Sequence, residues 1–314
     1  MSAESQVDVA APVVTLGMPL FNGALYLVSA LDSLLAQTFE RFEIVISDNG
    51  STDGTEEICR SYADKDRRIR YFRHDVNRGA AWNHNFLIME ARGRYFRWHH
   101  YDDLCEPRHL ERCVAALESS PAAVLAYPRT VLIDAAGGIT SHYDDRLALG
   151  EAAAHARLRH FLTNVYLCNP VLGLIRLDAL RRTALHGAYV AADHVLLAEL
   201  AMQGRWAEVP EALFYRRFHA AKSTEANRNL RDRAAWYDPR LRKGMLIWPN
   251  LRLFSERLRA VGRASIGLHE KILCAWVVIA WQTGFVTRMY RQRWARRLAR
   301  FVEWAGLNAR VGKG

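Results

Sequence analysis

The sequence predicts an α/β fold: a mostly parallel sheet with helices on both faces, followed by a helical C-terminal extension. Three observations predict it. Through the first half of the chain, short runs of apolar residues alternate with segments of helical period. That βαβα order favours parallel pairing, because each crossover needs a helix to bring the chain back to the same edge. Beyond residue 226 no clear strand is read, and the chain becomes rich in Arg and Trp.

The elements follow in order. Val13-Val14-Thr15-Leu16 reads as a buried strand leading to Pro19, and Leu27, Leu31, Leu34 and Leu35 then mark one face of a helix. Phe42 to Ile46 is the second strand. The next helix has a start signal in Asp53, with Glu56 three residues on to reach back. Ile69 to Phe72 is a third strand, and the helix from Ala80 to Ala91 stops at Gly93. Tyr95 to Trp98 is a fourth strand and runs into His99-His100-Tyr101-Asp102-Asp103. Pro107 stands near the first turn of a helix whose core face is Leu110, Cys113, Val114 and Leu117. Val124 to Tyr127 is another strand. Glu151 to Asn164 reads as helix, Gly173 to Leu177 as extended, and His194 to Met202 as helix. The expected organisation is a tail over 1–11, an α/β domain over 12–225 and a helical extension over 226–314.

At 314 residues the chain can bury a full core. Its net charge of +10 favours anionic partners, such as nucleoside diphosphates or anionic lipid, and equally describes a solvated basic surface. No basic block interleaved with aromatics marks a nucleic-acid groove in the first 225 residues, so nucleic acid is not an expected partner. Five cysteines without a C-x-x-C pair argue against a zinc site or disulfide framework and for a reducing, cytoplasmic compartment. The apolar run from Ile272 to Val286 is shorter than the roughly 20 residues a membrane span needs.

Two strand ends carry acids, and ligands of open α/β sheets bind beyond such ends. Asp48 opens Asp48-Asn49-Gly50-Ser51, whose composition suits either a nucleoside contact or a plain βα turn. Asp102-Asp103 suits a hard divalent cation shared with phosphates, or an acidic turn.

In order along the chain, Val13 to Asn22 with its Pro19 turn, Leu31 to Thr38, Ser47 to Thr55, Asn77-Arg78-Gly79 with Asn85, Ala91 and Gly93, and Asp102-Asp103 resemble the motifs of a family 2 glycosyltransferase of the fold called GT-A. The resemblance spans Pro12 to His219 and is strongest to about residue 130. It implies an inverting transfer from a nucleoside-diphosphate sugar, dependent on Mg²⁺ or Mn²⁺. Pro19, Phe21, Asn22, Asp48, Asn49, Asn77, Gly79, Asn85 and Asp102 are the implied donor-binding residues. Asp102, Asp103 and His219 are the implied metal residues, and Asp193 the implied base. The chain departs from the family where an acid is usual: His100 stands two positions before Asp102, and Ala192 precedes Asp193. His100 reads as a neutral ligand, a diphosphate contact or a packed side chain. Asp193 also reads as a helix cap. A binding module that lost catalysis and a sugar-phosphate nucleotidyltransferase are the alternatives; the latter lacks the basic, Gly-rich loop expected after the first strand. The acceptor is expected to be a glycan, a lipid-linked group or a small molecule. Tyr290, Trp294, Leu298, Phe301 and Ala305 recur on one helical face with arginines largely elsewhere. That pattern suits peripheral attachment to the inner face of an anionic membrane, or packing on the catalytic domain or a second copy of the chain.

Overall fold

The computed structural model describes residues 11–220, 230–237 and 249–284. The first half holds β1 (Val14–Leu20), α1 (Ala24–Leu35), β2 (Phe42–Asp48), α2 (Thr55–Lys65), β3 (Ile69–Arg73), α3 (Ala80–Glu90) and β4 (Tyr95–Trp98). There follow β5 (Leu104–Cys105), α4 (His109–Ser119), β6 (Ala123–Ile133), β7 (Ile139–Tyr143), α5 (Ala154–Asn164), β8 (Leu174–Arg176), α6 (Leu177–Arg181), α7 (Ala192–Gln203) and β9 (Arg205–Arg217). The described C-terminal residues form α8 (Leu230–Tyr237), α9 (Pro249–Arg263) and a helix over 268–284, α10.

One sheet runs in the order β3-β2-β1-β4-β8-β6-β9-β5, with β7 paired to β6. The first four strands are parallel; β8 then runs antiparallel to both β4 and β6. β1 and β2 are buried along their whole length, as expected of strands covered on both faces. The chain fills β1, β2 and β3 on one side and then returns to β4 on the other. That reversal opens a crevice at the C-terminal ends of β1 and β4, the usual ligand position in such sheets.

Each face has its own core. Leu27, Leu31 and Leu34 of α1 and Leu110 and Leu117 of α4 pack on one side with Leu16 and Ile44. On the other, Leu87, Phe96, Trp98 and Phe161 meet α7. Val261 of α9 and Cys274 and Val278 of α10 join this second cluster, so α9 and α10 share the core of the sheet domain. Burying each such valine contributes about 1.5–3 kcal/mol. Ion pairs Arg263–Glu199 and His155–Glu270 flank the seam.

Two local expectations are corrected. Glu56 does not reach back to cap α2; it pairs with Arg60 and Arg73. The cap is Gly54, and Asp53 accepts the N–H of Thr55 at 3.1 Å and of Ala24 at 3.2 Å, tying two helix starts together. Strands β5, β7 and β9 had no counterpart in the sequence reading. All five cysteines are free and buried. No described helix is long and apolar enough to cross a membrane. The face from Tyr290 to Ala305 lies outside the described residues.

Candidate active site

At the crevice, the loops after β1 and β2 are fastened to each other. Pro19 sits in register with Ser47, and Phe21 beyond it is 42% exposed. Asn22 has a positive φ of 52°; its Oδ1 accepts the Thr52 N–H and its own N–H donates to Ser51 Oγ, both at 2.9 Å. The sequence leaves Asp48 as either a nucleoside contact or part of a plain βα turn, and the family resemblance implies the former. In the structure Asp48 is fully buried, with Oδ1 accepting the Ser51 N–H (2.9 Å) and Oδ2 the Tyr71 hydroxyl (2.8 Å). Burial, and then the Asp48 carboxylate, push the Tyr71 phenol up, which keeps it a donor. Asn49 donates to Asn77 Oδ1 (2.8 Å) and accepts the Arg78 N–H (3.0 Å), joining the third loop. Gly50 and Gly79, at φ of 80° and 90°, occupy the left-handed region these turns require. Asn85 lies elsewhere: its amide clamps the main chain of His186 in both directions at 2.9 Å.

β4 delivers the acidic turn. Asp103 is fully buried and its Oδ1 accepts the Arg217 N–H at 2.9 Å, while Arg217 Nε donates to the Asp102 carbonyl at 2.9 Å. His99 Nδ1 accepts from Arg97 (2.9 Å) and its Nε2 donates to the Asp103 carbonyl (3.1 Å). Accepting from Arg97 at Nδ1 requires a neutral ring, and burial with the neighbouring Arg97 holds it so. His219 Nε2 donates to Asp102 Oδ2 at 3.0 Å. His100, Asp102 and Asp103 each offer a ligand atom, all within 4.8 Å of one another. Two carboxylates and an imidazole fit a divalent cation.

A cavity of about 130 Å³ adjoins this turn, with His100 on one wall and Asp193 on another. Asp193 lies in the first turn of α7, where the helix dipole favours a negative charge. His84, His186, Trp98 and Arg216 complete much of the lining. His84 donates from Nδ1 to the Ala80 carbonyl at 2.8 Å, and burial keeps the ring neutral. Burial likewise lowers His186 to about 4, overriding the opposing pull of Asp193. A larger cleft of about 810 Å³ at the other end of β4 is lined by Arg94, Glu118 and Arg176, whose groups are spent on each other or on main-chain carbonyls.

The sequence profile of glycosyl transferase family 2 matches residues 15–186. The chain belongs to glycosyl transferase family 2. An uncharacterized glycosyltransferase of Rickettsia felis is 40% identical over 116 residues, 36% of this chain and 19% of that protein. Glycosyltransferase GlyG of Streptococcus pneumoniae is 30% identical over 113 residues, 36% of this chain and 38% of the relative. The chain thus spans well under half the length of the curated relatives it matches. Among solved structures, TarS 1-349 of S. aureus in complex with UDP matches with a TM-score of 0.61 at 15% identity, covering 84% of this chain and 70% of that one. The mannosyltransferase PcManGT of Pyrobaculum calidifontis, in complex with GDP-Man and Mn²⁺, matches with a TM-score of 0.52 at 17% identity, covering 89% and 85%. The fold is GT-A.

For a family 2 chain, the sequence reading missed the residues that hold the site in place. Arg217 fixes the acidic turn from β9, and His84, His186 and Arg216 line the cavity. Arg216 and Arg217 stand just before His219, the end of the family resemblance, but that position gave neither of them a partner.

Proposed function

We propose that this family 2 glycosyltransferase moves a sugar from a nucleoside-diphosphate sugar to an acceptor hydroxyl with inversion, in a reaction that depends on a divalent cation. The observation that carries the reading is that Asp193 and His100, the edge of the acidic turn, line one cavity. A base and a diphosphate-binding turn thus face a shared reacting centre. The UDP, UDP-GlcNAc and GDP-Man held by the TarS and PcManGT structures support a nucleotide-sugar donor.

Asp102 and Asp103 would hold the cation, which when bound neutralises charge growing on the departing diphosphate. Arg217 and His99 fix the turn that carries both acids. The interlocked loops of Asn22, Asn49, Asn77 and Gly79 form the nucleotide end. Asp193 takes the proton from the acceptor hydroxyl as that oxygen attacks the anomeric carbon opposite the diphosphate, and attack from that face inverts the centre. The acceptor is a glycan, a lipid-linked group or a small molecule. The exposed residues Leu268, Ile272, Trp276 and Ile279 of α10 provide the contact with an anionic membrane surface.

Asp193→Asn tests the base. Donor binding, followed by thermal shift with a panel of UDP- and GDP-sugars and Mn²⁺, should be kept. Turnover, followed by nucleotide release, should fall about 10²–10⁴-fold. Weaker donor binding with unchanged turnover would make Asp193 a cap instead.

A further inference from the structure

The acidic turn contains a nitrogen donor. His100 Nδ1 stands 3.7 Å from Asp103 Oδ2, and ligand atoms of His100, Asp102 and Asp103 all lie within 4.8 Å of one another. Two ligands each about 2.1 Å from one ion lie about 3 Å apart when adjacent and about 4 Å apart when opposite. The 3.7 Å between His100 Nδ1 and Asp103 Oδ2 falls within that range, and the outer limit of 4.8 Å for the trio exceeds it by an amount that a small side-chain rotation closes. The three side chains also project from one fixed turn. The Asp103 N–H closes on the His100 carbonyl at 3.3 Å, and His99 and Arg217 pin the same turn from below. His100 keeps a third of its side chain exposed and borders the cavity, so its ring can turn toward an ion held by the two acids.

An imidazole changes which ion the turn prefers. Mg²⁺ takes oxygen ligands in near-ideal octahedral geometry and gives up water reluctantly. Imidazole binds first-row transition ions better, with affinity rising from Mn²⁺ to Co²⁺. A neutral ring in place of a third carboxylate also removes one charge of general attraction for any cation. The nitrogen compensates only for an ion that accepts it.

We propose that His100 is a direct metal ligand and makes the site selective for Mn²⁺ or Co²⁺ over Mg²⁺. The proposal rests on the reading that a divalent cation binds at Asp102 and Asp103. His219, already donating to Asp102 Oδ2, acts behind that carboxylate and orients it.

The test uses the full chain with UDP. Calorimetry gives the affinity for each metal alone, and pulsed electron paramagnetic resonance of bound Mn²⁺ detects nitrogen hyperfine coupling. The wild type should bind Mn²⁺ at least about 10-fold more tightly than Mg²⁺, with Co²⁺ tighter still, and should show the coupling. His100→Asp should lose the coupling and bring Mn²⁺ and Mg²⁺ within a few-fold of each other. His219→Gln should keep the coupling. Equal Mn²⁺ and Mg²⁺ affinity without coupling in the wild type overturns the role of His100 while leaving the cation site standing. Coupling that survives His100→Asp and vanishes in His219→Gln overturns it too. Failure of all three metals to bind in the presence of UDP removes the cation reading itself.

Discussion

Asp48 has two buried carboxylate oxygens and two donors that need them, the Ser51 N–H and the Tyr71 hydroxyl. Removing it leaves both donors without their acceptor, at about 1–3 kcal/mol each. Asp48→Ala should therefore lower unfolding stability by a few kcal/mol, read as a reduced urea midpoint. Unchanged stability with a raised donor KM would instead make nucleoside contact the main role of Asp48. The contrast with Asp193 shows what was legible at this scale. Asp48, Asp102, Asp103 and Asp193 stand out in sequence because they end strands or open a helix. Their partners do not. Arg217 lies 114 residues from Asp103, and the Asn85 clamp joins positions 101 residues apart. Only the folded chain brings such pairs together, so sequence spacing carries no trace of them.

At the scale of elements, legibility followed burial. β1 and β2 are buried on both faces and read as apolar runs. β7, Ile139–Tyr143, is almost wholly exposed and mostly polar, so no pattern announced it. β5 has two residues, too few for any period. The apolar run beginning at Ile272 was legible, but not its division of labour. In α10, Cys274 and Val278 face the core, whereas Leu268, Ile272, Trp276 and Ile279 form an exposed stripe at helical spacing, with Trp276 64% exposed. The sequence just beyond, 285–314, carries seven Arg and one Lys against one Glu. An apolar stripe beside that charge is complementary to anionic lipid. The full chain should co-sediment with phosphatidylglycerol vesicles and not with phosphatidylcholine vesicles. A double variant, Ile272→Glu with Trp276→Glu, should bind markedly less while keeping donor binding. Binding indifferent to lipid charge, or unaffected by the double variant, would sink the membrane role; dimerisation lost in the variant would assign the stripe to a second copy.

For the whole molecule, the same burial that builds the core sets a pH dependence. His74, His84, His99, His109, His186 and His194 are all lowered, chiefly by burial, with His186 at about 4. Unfolded, each titrates near 6.5. Above that value neither state binds the proton and these groups contribute nothing to the balance. As pH falls below 6.5 the unfolded chain takes up protons that the folded chain refuses, so stability declines until the folded pKa is reached. Each such group can contribute up to about 1.4 kcal/mol per pH unit in that window. Asp145 opposes them. Burial raises its carboxyl to about 7, so between its ordinary range and pH 7 the folded state binds the extra proton and gains stability on acidification. Six histidines against one carboxyl give a net loss. Urea unfolding should show lower stability at pH 5.5 than at pH 7.5, with Asp145→Asn steepening the decline because the opposing term is gone. Stability that is flat or rises toward pH 5.5 would mean that the histidines charge within the fold. The cavity beside Asp193 would then hold imidazolium groups where the structure places neutral rings.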